Sequence, residues 1–159
     1  MSHLRKLTPV LSLLLAACTT TAPAPSWDYQ SLVARPTPAS WASGAVWSFT
    51  ITDRSGKPET LMFRVSSDLA KTCISGEWRK LELIGGKAGT FAGVESQPAY
   101  SVEGSFLWIS LNSNLCDADN DLRGELNGNT FTGEHTFGGV TGDRPVGVVQ
   151  GQMVRWSGT

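Results

Sequence analysis

Three kinds of side chain in this 159-residue sequence have the types and spacing for chemistry: thiols, one imidazole and a run of carboxylates. Cysteines stand at 18, 73 and 116, and histidines at 3 and 135. A structural zinc site takes about four nitrogen or sulfur ligands. Cys73, Cys116 and His135 supply too few, so zinc is not expected. Nucleophilic catalysis requires a serine or cysteine beside a base. His135 alternates with Phe131, Gly133 and Phe137 along one side of an extended run, a setting in which an imidazole packs, or fixes a ligand, rather than relaying protons. Pairs of carboxylates distant in sequence remain open, because sequence does not show which of them meet. Asp117-Ala118-Asp119-Asn120-Asp121 alternates carboxylates as a loop around a hard cation does. Against the helical calcium loop it has Leu122 where glycine is needed and Gly128 where glutamate is needed. A solvated acidic loop is the plainer reading, and calcium held by Asp117, Asp119 and Asp121 the sharper one. Gly85-Gly86-Lys87-Ala88-Gly89 and Gly138-Gly139-Val140-Thr141-Gly142 lack the Gly-Lys-Ser/Thr ending of a phosphate loop, and no cofactor is implied.

The chain begins with a basic pair, Arg5 and Lys6, then the apolar block Val10-Leu11-Ser12-Leu13-Leu14-Leu15, then small residues, in the order of a secretory signal. Leu15-Ala16-Ala17-Cys18 resembles, position by position, the signal of bacterial lipoproteins, with Cys18 at the place of their invariant cysteine. That resemblance implies cleavage before Cys18, a diacylglyceryl thioether on its sulfur and acylation of the new amine. Each buried methylene contributes about 0.8 kcal/mol, so three acyl chains would anchor the protein stably. In the same family the residue after the cysteine sorts the protein, and Thr19 rather than aspartate implies the outer membrane. The apolar block is far shorter than the ~20 residues of a membrane-spanning helix, and none is expected later.

Removing residues 1–17 leaves 142, about one domain, with 11 basic and 14 acidic residues and a net charge near −3. Nucleic acid is therefore not an expected partner, since phosphate binding requires a concentrated basic face. In an oxidising envelope the remaining thiols, Cys73 and Cys116, are read as one disulfide. Closing its loop of about 44 residues would stabilise by roughly 4 kcal/mol in the chain-entropy model.

All seventeen glycines lie from Gly44 onward, whereas Pro23, Pro25, Pro36 and Pro38 fall between Cys18 and residue 43. This divides the chain into a signal peptide (1–17), a lipid-anchored linker with an N-terminal flap (18–43) and a folded domain (44–159). Residues 19–26 have nothing to bury and form a tether. Trp27, Tyr29, Leu32, Val33 and Trp41 either pack onto the domain, the preferred reading, or touch the membrane interface.

From Gly44 the pattern is short alternating runs separated by turn residues, which predicts an all-β domain. Trp47, Phe49 and Ile51 line one side of a first strand, and Leu61, Phe63 and Val65 one side of a second. Further strands are expected at 77–84, at 90–94 and 99–102 on weaker patterns, and at 122–126, 130–137 and 145–156. The run 106–111 is apolar on both faces, with Phe106 and Trp108 on one and Leu107, Ile109 and Leu111 on the other. Such a strand is covered on both sides or exposes a patch. Asn127-Gly128 marks a hairpin. Eight or nine strands, with glycines at 124, 133, 147 and 151 where a sheet bends, favour a small antiparallel β-barrel over a β-sandwich. The mature domain resembles small lipocalin-like barrels, and residues 124–133 are similar to their closing hairpins, without assigning a family.

These readings combine into a membrane-anchored, non-enzymatic binding module for a small apolar ligand held in the barrel, with Trp108, Phe131, His135 and Phe137 as candidate contacts. The alternative is a protein-binding lipoprotein, an envelope-enzyme inhibitor or assembly partner, acting through the loop 113–121. An enzyme is the least favoured reading.

Overall fold

The computed structural model describes residues 27–86, 97–139 and 142–154. Cys18, the signal, the tether and the expected strand at 90–94 lie outside them. Eight strands follow one short helix: α1 (Tyr29–Val33), β1 (Val46–Asp53), β2 (Pro58–Leu69), β3 (Arg79–Gly85), β4 (Ala99–Glu103), β5 (Phe106–Ser110), β6 (Asn120–Asn127), β7 (Thr130–Phe137) and β8 (Arg144–Val154). Each strand pairs antiparallel with the next, and β8 pairs back onto β1, so the sheet is a closed barrel. Among the described residues no helix is long and apolar enough to cross a membrane.

Alternation along each strand determines what fills the interior. Trp47, Phe49 and Ile51 of β1 and Leu61, Phe63 and Val65 of β2 point inward and are almost fully buried, as their period-two pattern requires. Leu107 and Ile109 of β5, Leu122 and Leu126 of β6, Phe131 of β7 and Val149 of β8 complete one continuous core. The rings interlock: Phe49 lies 5.9 Å from Phe63 and 5.4 Å from Phe131. The inside of this barrel is a packed core of side chains.

The N-terminal segment belongs to that core. Asp28 caps α1 by accepting from the Ser31 amide, and Leu32, on the helix face toward the barrel, is buried. Downstream, Trp41 enters the core cluster with its ring 5.3 Å from both Trp47 and Tyr100. Trp47 Nε1 donates to Ser40 O at 3.2 Å, and Ser40 Oγ donates to Gly128 O in the turn between β6 and β7. Residues 34–43 thus cross one end of the barrel and Trp41 closes it.

Closure is narrowest at β3–β4, where the described ladder holds two pairs, Arg79↔Tyr100 and Lys80↔Ala99, against eight between β6 and β7. The expected disulfide is formed across this seam: Cys73, in the loop after β2, is bonded to Cys116, in the loop after β5, with Cα atoms 5.0 Å apart. Cys73 N also donates to Ser113 O at 3.1 Å, and Ser113 Oγ to Gln97 O at 2.6 Å.

Two glycines make room for the rings. Gly151 is paired with Phe49 on one side and Phe131 on the other. A Cβ there would lie 2.8 Å from atoms of both side chains. At Gly133 it would meet the Phe131 ring at 2.6 Å and Arg123 O at 2.4 Å. Gly151→Val should therefore destabilise the domain by about 1–3 kcal/mol, the range of core overpacking. Gly139→Val, at a position with open space around it, should shift stability by less than about 0.5 kcal/mol. Urea midpoints of the two variants against the parent test this, and equal shifts would refute it.

Candidate functional site

The face of β4–β6 that points away from the core carries the site. Alternation that puts Leu107 and Ile109 inside puts Phe106 and Trp108 outside, and pairing sets Ser101 and Arg123 beside Trp108 and Glu103 and Glu125 beside Phe106. Such positions ordinarily meet water. Here two chain segments fold over them. From the β2–β3 loop, the buried Trp78 packs edge-on against Trp108 with centroids 5.1 Å apart, and its indole donates to Ser75 O at 3.1 Å. From α1, Tyr29 packs edge-on against Phe106 at 5.0 Å, and its hydroxyl donates to Glu103 Oε2 at 2.6 Å. That bond raises the Tyr29 phenol above its ordinary value. Between these covers runs an open groove of about 290 Å³, with Tyr29, Phe106 and Trp108 along it and Glu77 and Glu103 among its walls.

The groove's cation is held from behind. The Arg123 guanidinium lies 4.3 Å from the centre of the Trp108 ring, and it reaches Asp121 Oδ2 at 2.7 Å and Asp143 Oδ2 at 2.8 Å. Trp108 Nε1 donates to the same Asp121 oxygen at 2.8 Å. Asp121 is fully buried, and its other oxygen, Oδ1, has no hydrogen-bond partner among the described residues. Burial pushes the Asp121 carboxyl upward, while Arg123 and Trp108 pull it down through hydrogen bonds. Burial by itself would lower the Arg123 guanidinium, but its two carboxylates outweigh that and raise it. Trp78, Trp108, Arg123 and Asp121 form one interlocked stack that sets the groove's floor.

The structure separates the four candidate ligand contacts. Trp108 is in the outer groove. Phe131 is inside, filling the core against Phe49. His135 is inside and nearly buried, with Nε2 2.6 Å from Asn120 Oδ1, where the ring N–H donates to the amide oxygen. Phe137 ends β7 and is 41% exposed, with the Arg144 guanidinium 5.9 Å from its ring. The β7–β8 ladder shifts register between His135 and Thr136, but the extra residue lies in β8. On the other side β6 keeps step, with Leu122 opposite His135 and Asn120 opposite Phe137, so His135 and Phe137 stay on one side of β7 and differ in burial because Phe137 ends the strand.

The calcium reading of the acidic loop is also corrected. Among the described residues no group of three or more His, Cys, Asp or Glu side chains is placed to hold a metal ion. Asp121 is taken by Arg123 and Trp108, Asp119 exchanges backbone hydrogen bonds with Gly138, and Asp117 points to solvent.

Sequence reasoning took the two-faced strand 106–111 as support for a ligand inside the barrel, where the packed core stands instead, and it missed the groove's other walls. Glu77 and Trp78 stand just before β3, Glu103 ends β4, and Tyr29 belongs to a helix too short to show a period. Asp28, an N-cap residue ahead of Tyr29, was the available signal for that helix. Compared with known protein families, characterised proteins and solved structures, the chain matches none.

Removing Arg123 strands a buried carboxylate. Arg123→Ala should destabilise the domain by on the order of 3 kcal/mol, and the pair Asp121→Asn with Arg123→Met should recover part of that loss. Urea denaturation measures both, and a double variant no more stable than Arg123→Ala would contradict the ion-pair account.

His135 supplies a pH dependence. Burial lowers its pKa, offset in part by the charge of Glu59. The unfolded chain therefore takes up a proton near pH 6.5 that the folded protein resists, so stability is full above about pH 6.5 and falls on acidification below it. His135→Asn should show a smaller loss of melting temperature between pH 7.5 and 5.5 than the parent, and parallel profiles would exclude this source.

Proposed function

We propose that this protein is a membrane-anchored envelope lipoprotein that acts as a non-enzymatic binding module, and that its ligand sits in the outer groove between α1, the β2–β3 loop and strands β4–β6. The observation that carries this reading is the location of the aromatic surface. The interior is packed with Trp47, Phe49, Phe63 and Phe131, whereas Tyr29, Phe106 and Trp108 line an open groove outside. Concave aromatic surface with a few fixed polar groups is the general form of a small-ligand site. The Arg123 stack and the Cys73–Cys116 clasp hold the groove's walls in place before any ligand arrives, which reduces the ordering cost of binding.

A non-enzymatic role is supported by the position of His135, which is buried inside the barrel, bonded to Asn120 and not among the residues lining the groove. The anchor rests on the sequence Leu15-Ala16-Ala17-Cys18 and on its order after the basic pair and apolar block.

Intact mass of the protein taken from native membranes should show the chain beginning at Cys18 with a fatty-acid increment. For the groove, a photo-crosslinking side chain at position 101 should label a defined envelope component, and one at position 132, on the far side of the barrel, should not. Equal labelling from both positions, or none from 101, would overturn the groove as the binding face. Whether the labelled species is a small molecule or a polypeptide decides between ligand binding and the inhibitor or assembly role.

A further inference from the structure

Resting on that reading, we propose that the groove selects organic cations: an alkylammonium group, on a short apolar stem, held against the aromatic walls by Glu77 and Glu103. The argument is one of charge and surface. Two carboxylates, Glu77 and Glu103, line the groove, and the cation among its lining residues, Arg123, is already engaged by Asp121 and Asp143. Counting the partners of Arg123 and of Glu77, the groove and its backing carry four carboxylates and two guanidiniums, a net negative charge. An incoming anion meets repulsion there, and a neutral guest can donate hydrogen bonds to the carboxylates but gains no charge attraction from them.

The walls suit a cation as well. Aromatic faces attract ammonium through the ring quadrupole, and the attraction strengthens when water is excluded. Arg123 over Trp108 is an instance of that contact within the site itself. Tyr29 and Phe106, set edge to face at 5.0 Å, leave ring surface at the groove, and Tyr29 is 43% exposed. Its hydroxyl is spent on Glu103 Oε2, which holds that carboxylate at the wall. Glu77 is paired with Arg79, which lies outside the groove lining, so its charge is partly offset and Glu103 carries the larger share. A methylene stem would lie along Phe106 and Trp108 while its ammonium meets a carboxylate.

The test is calorimetric titration of the full mature chain with 1,5-diaminopentane and with choline, against the neutral isosteres 1,5-pentanediol and 3,3-dimethylbutanol. The cations should bind and their isosteres should not. Binding should weaken with added salt, roughly tenfold for Glu103→Gln and less for Glu77→Gln. Glutamine still accepts the Tyr29 hydrogen bond, so melting temperatures should match the parent and separate lost recognition from lost folding. Diol binding equal to diamine binding, or undiminished diamine affinity in the double glutamine variant, would overturn the proposal. A neutral oligosaccharide of N-acetylglucosamine that binds while the amines give no heat would refute cation selection and leave the groove standing as a binding face. Labelling from position 101 is independent of all these titrations, so failure of the cation class and failure of the groove are told apart.

Discussion

Closure of the sheet onto itself is the constraint from which the other features follow. Once β8 pairs with β1, every strand has one side committed to an enclosed space and one to the outside. The enclosed space of an eight-stranded barrel is just wide enough for side chains to fill. Large rings therefore have to be matched by missing side chains, and the chain does this by setting Gly151 between Phe49 and Phe131 and Gly133 beneath the Phe131 ring. Filling the inside with aromatics leaves recognition to the outside.

The outside is not uniform. Opposite the groove, β1, β7 and β8 present Ser48, Thr50, Thr132, Gln150 and Gln152, short polar side chains suited to water. On β4–β6 the corresponding positions hold Phe106, Trp108 and Arg123, and they are tolerable there only because other segments partly cover them. Those covers come from far along the chain: Tyr29 is 77 residues from Phe106, and Trp78 is 30 from Trp108. The clasp at Cys73–Cys116 sits beside the thinnest part of the sheet and ties down the loop that delivers Trp78. Folding stability and the shape of the groove are thus maintained by the same few contacts.

How much of this the sequence disclosed depends on the range over which each contact acts. Strand positions were readable because alternation is local: Trp47, Phe49, Ile51 and Leu61, Phe63, Val65 announce their own burial, and Asn127-Gly128 its own turn. The two apolar faces of 106–111 were legible from its own residues, whereas whether the outer one is covered or exposed depended on Tyr29 and Trp78, and it is partly both. What stayed hidden depended on partners. Nothing local distinguishes Arg123 from any other strand arginine, yet its guanidinium joins two aspartates and an indole. His135 and Phe137 are two apart and share a side of β7, yet only the first is buried, because Phe137 ends the strand. The alternating aspartates suggested a cation loop because the sequence does not reveal that Asp121 already has one in Arg123.

The composition break at Gly44 marks where glycine begins, but the folded unit starts earlier. Trp41 seals one mouth of the barrel and Tyr29 forms part of the groove's wall, so residues well upstream of the first strand belong to the same cooperative body. A shortened polypeptide beginning at Gly44 would leave the rings of Trp47 and Tyr100 facing solvent through an unstoppered opening and would lose one bank of the groove. For recombinant work the practical start is Trp27 or before, and a fusion partner joined directly at residue 44 would be attached to an incomplete protein.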